Sequence, residues 1–200
     1  MTGAELKRAK KAVRREVLAL RDALPPQERA RLAERVADRF LLVPEVATAT
    51  VVMAFSSFGS ELPTQPLVER LLARGITVAL PRITAGDVEA RTWRSGEPMT
   101  ETAFGALEPA GGEFVEPSRI DVVATPAVAF DRAGRRVGYG GGFYDRFFLQ
   151  MRGDALRAGV GFGLQLLDRD LPEGAFDVRV DAVITESETL RCPRDPRAST

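Results

Sequence analysis

The residues best suited to chemistry crowd into Gly134-Arg135-Arg136-Val137-Gly138-Tyr139-Gly140-Gly141-Gly142-Phe143-Tyr144-Asp145-Arg146, with four glycines in the five positions from Gly138 to Gly142. Glycine lets a backbone bring its N–H groups close to an anion. The apolar spacing of Phe143, Tyr144, Phe147, Phe148 and Met151 predicts a helix just beyond, whose dipole adds positive potential at its start. Arg136 supplies a permanent positive charge upstream. Asp145, three positions past the last glycine, can hold Mg2+ against a bound polyphosphate. Taken alone, the stretch suits a flexible turn equally well, with Asp145 complementing the dipole of the helix it begins. It is no dinucleotide fingerprint, because Phe143 stands where the third glycine is required, and no G-x-x-x-x-G-K-[ST] run occurs in the chain.

Histidine is absent, which excludes Ser-His-Asp and Cys-His nucleophile pairs and histidine-based metal sites. Cys192 is the only cysteine, so no intrachain disulfide forms; beside Pro193 in a polar tail it reads as a free surface thiol. The remaining inventory of carboxylates, guanidinium and ammonium groups, hydroxyls and amides suits phosphoryl transfer, which needs positioning and charge neutralisation more than a strong base. The 28 basic and 28 acidic residues cancel, so no global charge argues for nucleic acid or membrane. No apolar run approaches the roughly 20 residues that span a bilayer. Met1 to Lys7 lacks the apolar core of a secretory signal, so a cytoplasmic location is expected. The 200 residues suit one domain, here over 1–190, with 191–200 expected as a disordered tail.

Several elements must position the glycine stretch. Leu6, Ala9, Val13, Val17, Leu20 and Leu24 recur on one helical face, predicting a helix from about Ala4 to Ala23. Its first half carries Lys7, Arg8, Lys10, Lys11, Arg14 and Arg15, either a solvated face or a set of phosphate contacts. Pro25-Pro26 breaks it and starts a second helix to about Leu42, giving a helical hairpin that Pro44 ends. Val51–Phe55 and Ile76–Leu80 read as buried strands joined by a helix from Pro66 to Arg74, for which Thr64 or a neighbour is the cap, so that a βαβ unit results. The loop from Ser56 to Thr64, with Glu61, leaves the carboxyl end of the first strand, where ligands of open α/β sheets gather. Val88–Trp93 alternates like an edge strand, and 96–118 is a long excursion. Asp121–Phe130 is a central strand with an irregularity at Pro126, and Ala158–Gly163 and Asp181–Thr185 are two more.

The stretch Gly134 to Arg146 resembles the signature of the 5-formyltetrahydrofolate cyclo-ligase family, also called 5,10-methenyltetrahydrofolate synthetases. Further pieces follow in the family's order: Lys10-x-x-x-Arg14, Ser60-Glu61-x-x-Thr64, Leu80-Pro81-Arg82, Glu108-Pro109 and Asp177-x-x-x-Asp181. The resemblance implies a three-layer α/β/α sandwich with a mainly parallel sheet. It implies ATP as co-substrate, Mg2+ as cofactor, and ring closure of 5-formyltetrahydrofolate with release of ADP and phosphate. By that resemblance Lys10, Arg14, Arg136, Val137, Gly138, Tyr139, Gly140, Gly141, Gly142, Phe143 and Tyr144 contact ATP, with Lys10 and Arg136 catalytic. Asp145 and Asp177 serve the metal. Ser56, Phe58, Glu61 and the Tyr139 to Phe143 loop contact the folate. The chain departs from the family at Phe143, where a tyrosine is usual, so a ring remains and a phenolic hydrogen bond is lost. A non-catalytic binder of reduced folate or nucleotide is the competing reading; a nucleic-acid module built on the basic first helix is a third, which the neutral total charge disfavours.

Overall fold

The computed structural model describes residues 1–102 and 105–195. Helix α1 (Gly3–Asp22) opens on a reciprocal cap: the Thr2 hydroxyl accepts the Glu5 N–H and the Glu5 carboxylate accepts the Thr2 N–H. Then follow α2 (Pro26–Phe40), the short α3 (Pro44–Ala47), β1 (Val51–Met53), α4 (Gln65–Ala73), β2 (Thr77–Thr84) and β3 (Asp87–Thr92). The excursion at 96–118 carries β4 (Met99–Glu101), β5 (Leu107–Pro109) and β6 (Phe114–Val115). Beyond it lie β7 (Val122–Thr125), β8 (Ala129–Asp131), β9 (Arg136–Val137), α5 (Phe143–Phe148), β10 (Leu156–Val160), β11 (Leu166–Leu167), β12 (Ala182–Ile184) and β13 (Thr189–Arg191).

The main sheet runs β13-β12-β10-β7-β1-β2-β3-β6. Its five inner strands, β12, β10, β7, β1 and β2, are parallel, and antiparallel strands close both edges. Alternation along the strands sorts the core into two faces, because successive side chains point to opposite sides. Val52, Val78, Val122, Ala158 and Ile184 meet α2 and α4 through Phe40, Val36, Leu67 and Leu71. Met53, Ala79, Val123 and Val183 meet Phe147, Phe148 and Met151 of the α5 region. The result is the expected three-layer sandwich on a mostly parallel sheet.

Helices α1 and α2 succeed one another through the turn at 23–25, yet they separate in packing. Helix α2 lies on α4, whereas Val13 and Val17 of α1 pack with Val128 and with Ala129 and Val137 of a small three-stranded sheet, β11-β8-β9. Pro126 explains that second sheet. It cannot donate to the ladder, so the expected single strand ends at Thr125 and restarts at Ala129 on another sheet. The Gln165 side-chain amide secures the bend by donating to the carbonyls of Ala127 (2.7 Å) and Val128 (3.2 Å). Thr64 stands before α4 as expected, but its hydroxyl donates to the Phe55 carbonyl (2.6 Å) rather than capping the helix. The tail corrects the reading: Arg191 belongs to β13, Cys192 N–H donates to the Asp181 carbonyl, and the buried Asp195 accepts the Arg179 N–H. The chain is thus packed through 195, and 196–200 lie outside the described residues. Cys192 is half-buried rather than a surface thiol, and burial pushes its pKa up to about 11.

Asp121 ties the entrances of β1 and β7. Its carboxylate accepts the N–H groups of Thr50 (2.6 Å) and Val51 (2.8 Å) and a bond from the Arg152 guanidinium (2.6 Å). Burial works against the charge, but these donors outweigh it and hold the pKa at about 2 against an ordinary 3.8. A depressed carboxyl pKa stabilises the fold above the unfolded value and loses that contribution as pH falls through the folded one. Asp121→Asn is therefore expected to cost about 2 kcal/mol near neutral pH and less below pH about 3, read from urea unfolding at several pH values.

Candidate functional site

The glycine stretch spans the join between β9 and α5 at the carboxyl end of the parallel strands, where the break at Pro126 opens the sheet. Gly138 through Asp145, together with Lys10, Arg14, Pro126, Arg136 and Asp177, lines a cavity of about 580 Å³. Two glycines are required for stated reasons. Gly140 has φ +111°, outside the range of L side chains, and a Cβ on Gly141 would lie 2.5 Å from the Phe143 ring. Phe143 therefore folds back over its own loop, with the Arg146 guanidinium 5.4 Å above the ring.

Helix α1 delivers cations along one stripe. Lys10 pairs with Asp177, which also accepts the Gly174 N–H (2.6 Å), and Arg14 donates through Nε to the Gly138 carbonyl (2.6 Å). From the other side, Arg136 donates to Asp145 Oδ1 (2.6 Å), and the same oxygen accepts the Val178 N–H (2.9 Å). The Arg136 guanidinium lies 5.1 Å from the centre of the Phe148 ring, and Arg157 faces the same ring at 5.7 Å. Burial draws the Arg136 pKa down from the ordinary arginine value while Asp145 and Asp177 oppose it; the guanidinium stays charged.

Among the described residues no group of three or more His, Cys, Asp or Glu side chains gathers at one point. The available donors here are Asp145 and Asp177, and no hydrogen bond among the described residues reaches Asp145 Oδ2 or Asp177 Oδ1. Two carboxylates lining one cavity suit a hard divalent ion that keeps water and shares phosphate oxygens, and would not suit an ion needing a full protein cage.

The other expected residues are distributed unequally. Glu61 is buried in a narrow crevice with Arg21 and Phe55, and Pro126 is common to that crevice and the main cavity. Its carboxylate accepts the Phe58 N–H (3.1 Å), and the Phe58 and Tyr139 rings stand 5.2 Å apart. Burial raises the Glu61 pKa, opposed by the Phe58 N–H and the Tyr139 hydroxyl. The Tyr144 hydroxyl is buried against the cavity with no hydrogen-bond partner among the described residues, and burial raises its pKa. Three expected residues line neither the cavity nor the crevice. Val137 is fully buried in the α1 core, Ser56 is half-buried, and Phe58, also half-buried, reaches the glycine loop only through its ring contact with Tyr139.

Arg21 was missed by the sequence reading. It is 3% exposed; Nε donates to Ser60 Oγ (3.0 Å) and Nη2 to the Tyr139 hydroxyl (2.7 Å), while Ser60 in turn donates to Asp22. One guanidinium thus fastens α1 to both the 58–61 turn and the glycine loop. The signal was present: Lys10, Arg14 and Arg21 stand at i, i+4 and i+11, one face of a helix.

A raised carboxyl pKa in the folded protein means that the native state holds its proton longer than the unfolded chain. Wild-type stability therefore carries a penalty that grows as pH rises from about 4.5 through the folded value. Glu61→Gln removes the penalty, so its melting temperature is expected to gain on wild type as pH rises through that window. Parallel melting curves would refute the assignment.

Fold and cavity together define a mixed α/β protein with paired cations and carboxylates at the end of a mostly parallel sheet. The description of the 5-formyltetrahydrofolate cyclo-ligase family matches residues 6–186. The 5-formyltetrahydrofolate cyclo-ligase of Escherichia coli K12 is 34% identical over 174 residues, 84% of this chain and 95% of that protein. That of Mycolicibacterium smegmatis is 32% identical over 185 residues, 89% of this chain and 94% of that protein. The NMR structure of Aquifex aeolicus 5,10-methenyltetrahydrofolate synthetase superposes with a TM-score of 0.81 at 32% identity, covering 93% of this chain and 94% of that one. The chain belongs to the 5-formyltetrahydrofolate cyclo-ligase family and is an enzyme of the cyclo-ligase class. No helix among the described residues is long and apolar enough to cross a membrane.

Proposed function

We propose that this enzyme cyclises 5-formyltetrahydrofolate to 5,10-methenyltetrahydrofolate at the expense of ATP, with Mg2+ as cofactor. The observation that carries the reading is the meeting in one cavity of the glycine loop, Lys10, Arg14, Arg136 and two carboxylates, with the buried Glu61 behind it. That cavity suits a triphosphate, and Glu61, whose carboxylate interacts with the Tyr139 hydroxyl of the cavity wall, suits a partner with N–H donors.

The chemistry requires both. A formamide oxygen is a poor leaving group, so it first takes the γ-phosphoryl group: the bond to ADP breaks and a new P–O bond forms as the N5 lone pair moves toward carbon. The N10 amine of the same molecule then attacks that carbon, the C–O pair departs with phosphate, and N10 gives up its proton. Attack within one molecule substitutes proximity for a strong base, in keeping with a chain that has no histidine. Lys10, Arg14, Arg136 and the amides of Gly138 to Tyr144 neutralise charge on the migrating group. Asp145 and Asp177 hold the divalent ion, which when bound adds charge neutralisation at the phosphates. Glu61, Phe58 and Tyr139 orient the pterin, and Phe143 contributes a ring without a hydroxyl.

The test is the absorbance of the methenyl product when protein, 5-formyltetrahydrofolate and MgATP are mixed. Folded protein that gives no signal would overturn the proposal. Arg21→Met is expected to raise KM for the folate about ten-fold, because the Tyr139 ring and the 58–61 turn lose a charged anchor worth roughly 1.5–3 kcal/mol. Unchanged KM would show that the two loops hold their places without it.

A further inference from the structure

We propose that Arg146 is a positioning residue for the glycine loop: anchored on the turn between β2 and β3, it holds the Gly141 carbonyl and thereby aims the Gly142 N–H at an anion; this rests on the ATP reading above. Its guanidinium donates through Nη1 to the Gly141 carbonyl (3.1 Å), through Nη2 to the Gly86 carbonyl (2.9 Å) and through Nε to Asp87 Oδ1 (2.6 Å). One side chain therefore ties together two loops that are remote in sequence.

The glycine loop needs such a pin. Gly140 and Gly142 have φ +111° and +65°, and peptide planes flanked by glycine turn at little steric cost. In a planar trans peptide the C=O and the following N–H point in opposite directions, so a plane that turns over presents a carbonyl where an anion requires an amide. Holding the Gly141 carbonyl commits the Gly142 N–H to the other side. No hydrogen bond among the described residues engages that N–H, and Gly142 lines the main cavity. Arg14 does the same at the other end of the loop, where it holds the Gly138 carbonyl (2.6 Å). The two differ in reach: Arg14 lines the cavity and Arg146 does not, so Arg146 acts through the peptide rather than on the ligand.

The anchor is itself well defined. Thr84 and Asp87 pair across the hairpin and leave Ala85 and Gly86 as a two-residue turn with φ +51° and +88°. Positive φ at both positions is what the primed turns that match strand twist require. Helix α5 packs on β3, which keeps the turn beside Arg146. The competing reading is a plain surface ion pair. The Arg146 and Asp87 side chains are 47% and 63% exposed, and a pair of that kind adds little to stability, so the fold alone gives Arg146 little to do.

The experiment measures binding of inorganic tripolyphosphate and of ADP, each with magnesium, by calorimetry on the full chain, beside melting curves. Arg146→Met is expected to weaken both ligands about ten-fold, the scale of one hydrogen bond to a charged group, at a nearly wild-type melting temperature. Asp87→Asn decides the cause. It removes a negative charge near the anion, so a purely electrostatic effect tightens binding; loss of the anchor weakens it, by about two- to three-fold, the scale of one exposed ion pair. The double variant should be no worse than Arg146→Met, because the anchor then has nothing to hold. Arg146→Lys, which keeps the charge without the planar fork, should recover only part of the loss. Wild-type affinity in Arg146→Met, tighter binding in Asp87→Asn, or additive losses in the double variant would each overturn the role while leaving the ATP reading intact. Wild-type protein that binds neither ligand would remove the ATP reading itself, and this role with it.

Discussion

Arg136→Met is expected to lower kcat by about 10²–10³-fold, the usual loss when a fixed charge stabiliser is taken from a buried reaction site. Three observations set that size. The side chain is only 6% exposed, its guanidinium is bonded to Asp145 at 2.6 Å, and its flat face rests on the Phe148 ring. The group is therefore fixed before any ligand arrives, which makes its charge effective without reorganisation. Methionine preserves much of the stem's packing but leaves Asp145 with the Val178 N–H in place of a cation. Breaking one side of such a pair costs about 3–5 kcal/mol of stability, so melting curves must accompany the kinetics. Arg136→Lys supplies the control: it restores charge without the planar fork, and should recover stability more fully than turnover. Wild-type kcat in a folded Arg136→Met protein would exclude this guanidinium from the chemistry.

Asp145→Asn should cut turnover by about 10²-fold or more and raise the magnesium concentration needed for half-maximal rate. The amide matches the carboxylate in shape and keeps an oxygen for Arg136 and the Val178 N–H, so the fold should persist. What disappears is the charge. In the free protein each carboxylate proposed for the metal holds a cation proposed for phosphate: Asp145 holds Arg136, and Asp177 holds Lys10. On the proposed reading Asp145 and Asp177 would turn to the metal and Arg136 and Lys10 to the phosphates when MgATP binds. ATP without a divalent ion would instead set a triphosphate beside two carboxylates, and it should bind weakly. A magnesium titration of turnover for wild type, Asp145→Asn and Asp177→Asn checks the scheme; an unchanged magnesium requirement in Asp145→Asn removes that residue from the metal role.

Much of this was legible in the order of residues. The 3.6 period of Val13 and Val17 marked α1, the continuous apolar run around Val51 to Met53 marked a strand covered on both faces, and the clustered glycines marked a tight bend before a helix. Each of these is settled by backbone geometry within a few residues. Pro126 was seen as an irregularity, but only the fold shows that it transfers the chain from one sheet to another. Likewise the Pro25 turn was readable, whereas the different partners of α1 and α2 were not, because each apolar stripe states that it is buried and not against what.

The site itself belongs to tertiary structure. Lys10 meets Asp177 across 167 positions and Arg21 meets Tyr139 across 118, separations over which no local pattern constrains pairing. What constrains it is strand order: β1 inserts between β2 and β7, the parallel strands end together, and α1 packs on β8 and β9 so that its cationic stripe faces the loop after β9. The residue types stated that phosphate and metal chemistry was within this chain's means. Their convergence followed from burying apolar faces on both sides of one sheet, since that burial sets which distant side chains share a cavity.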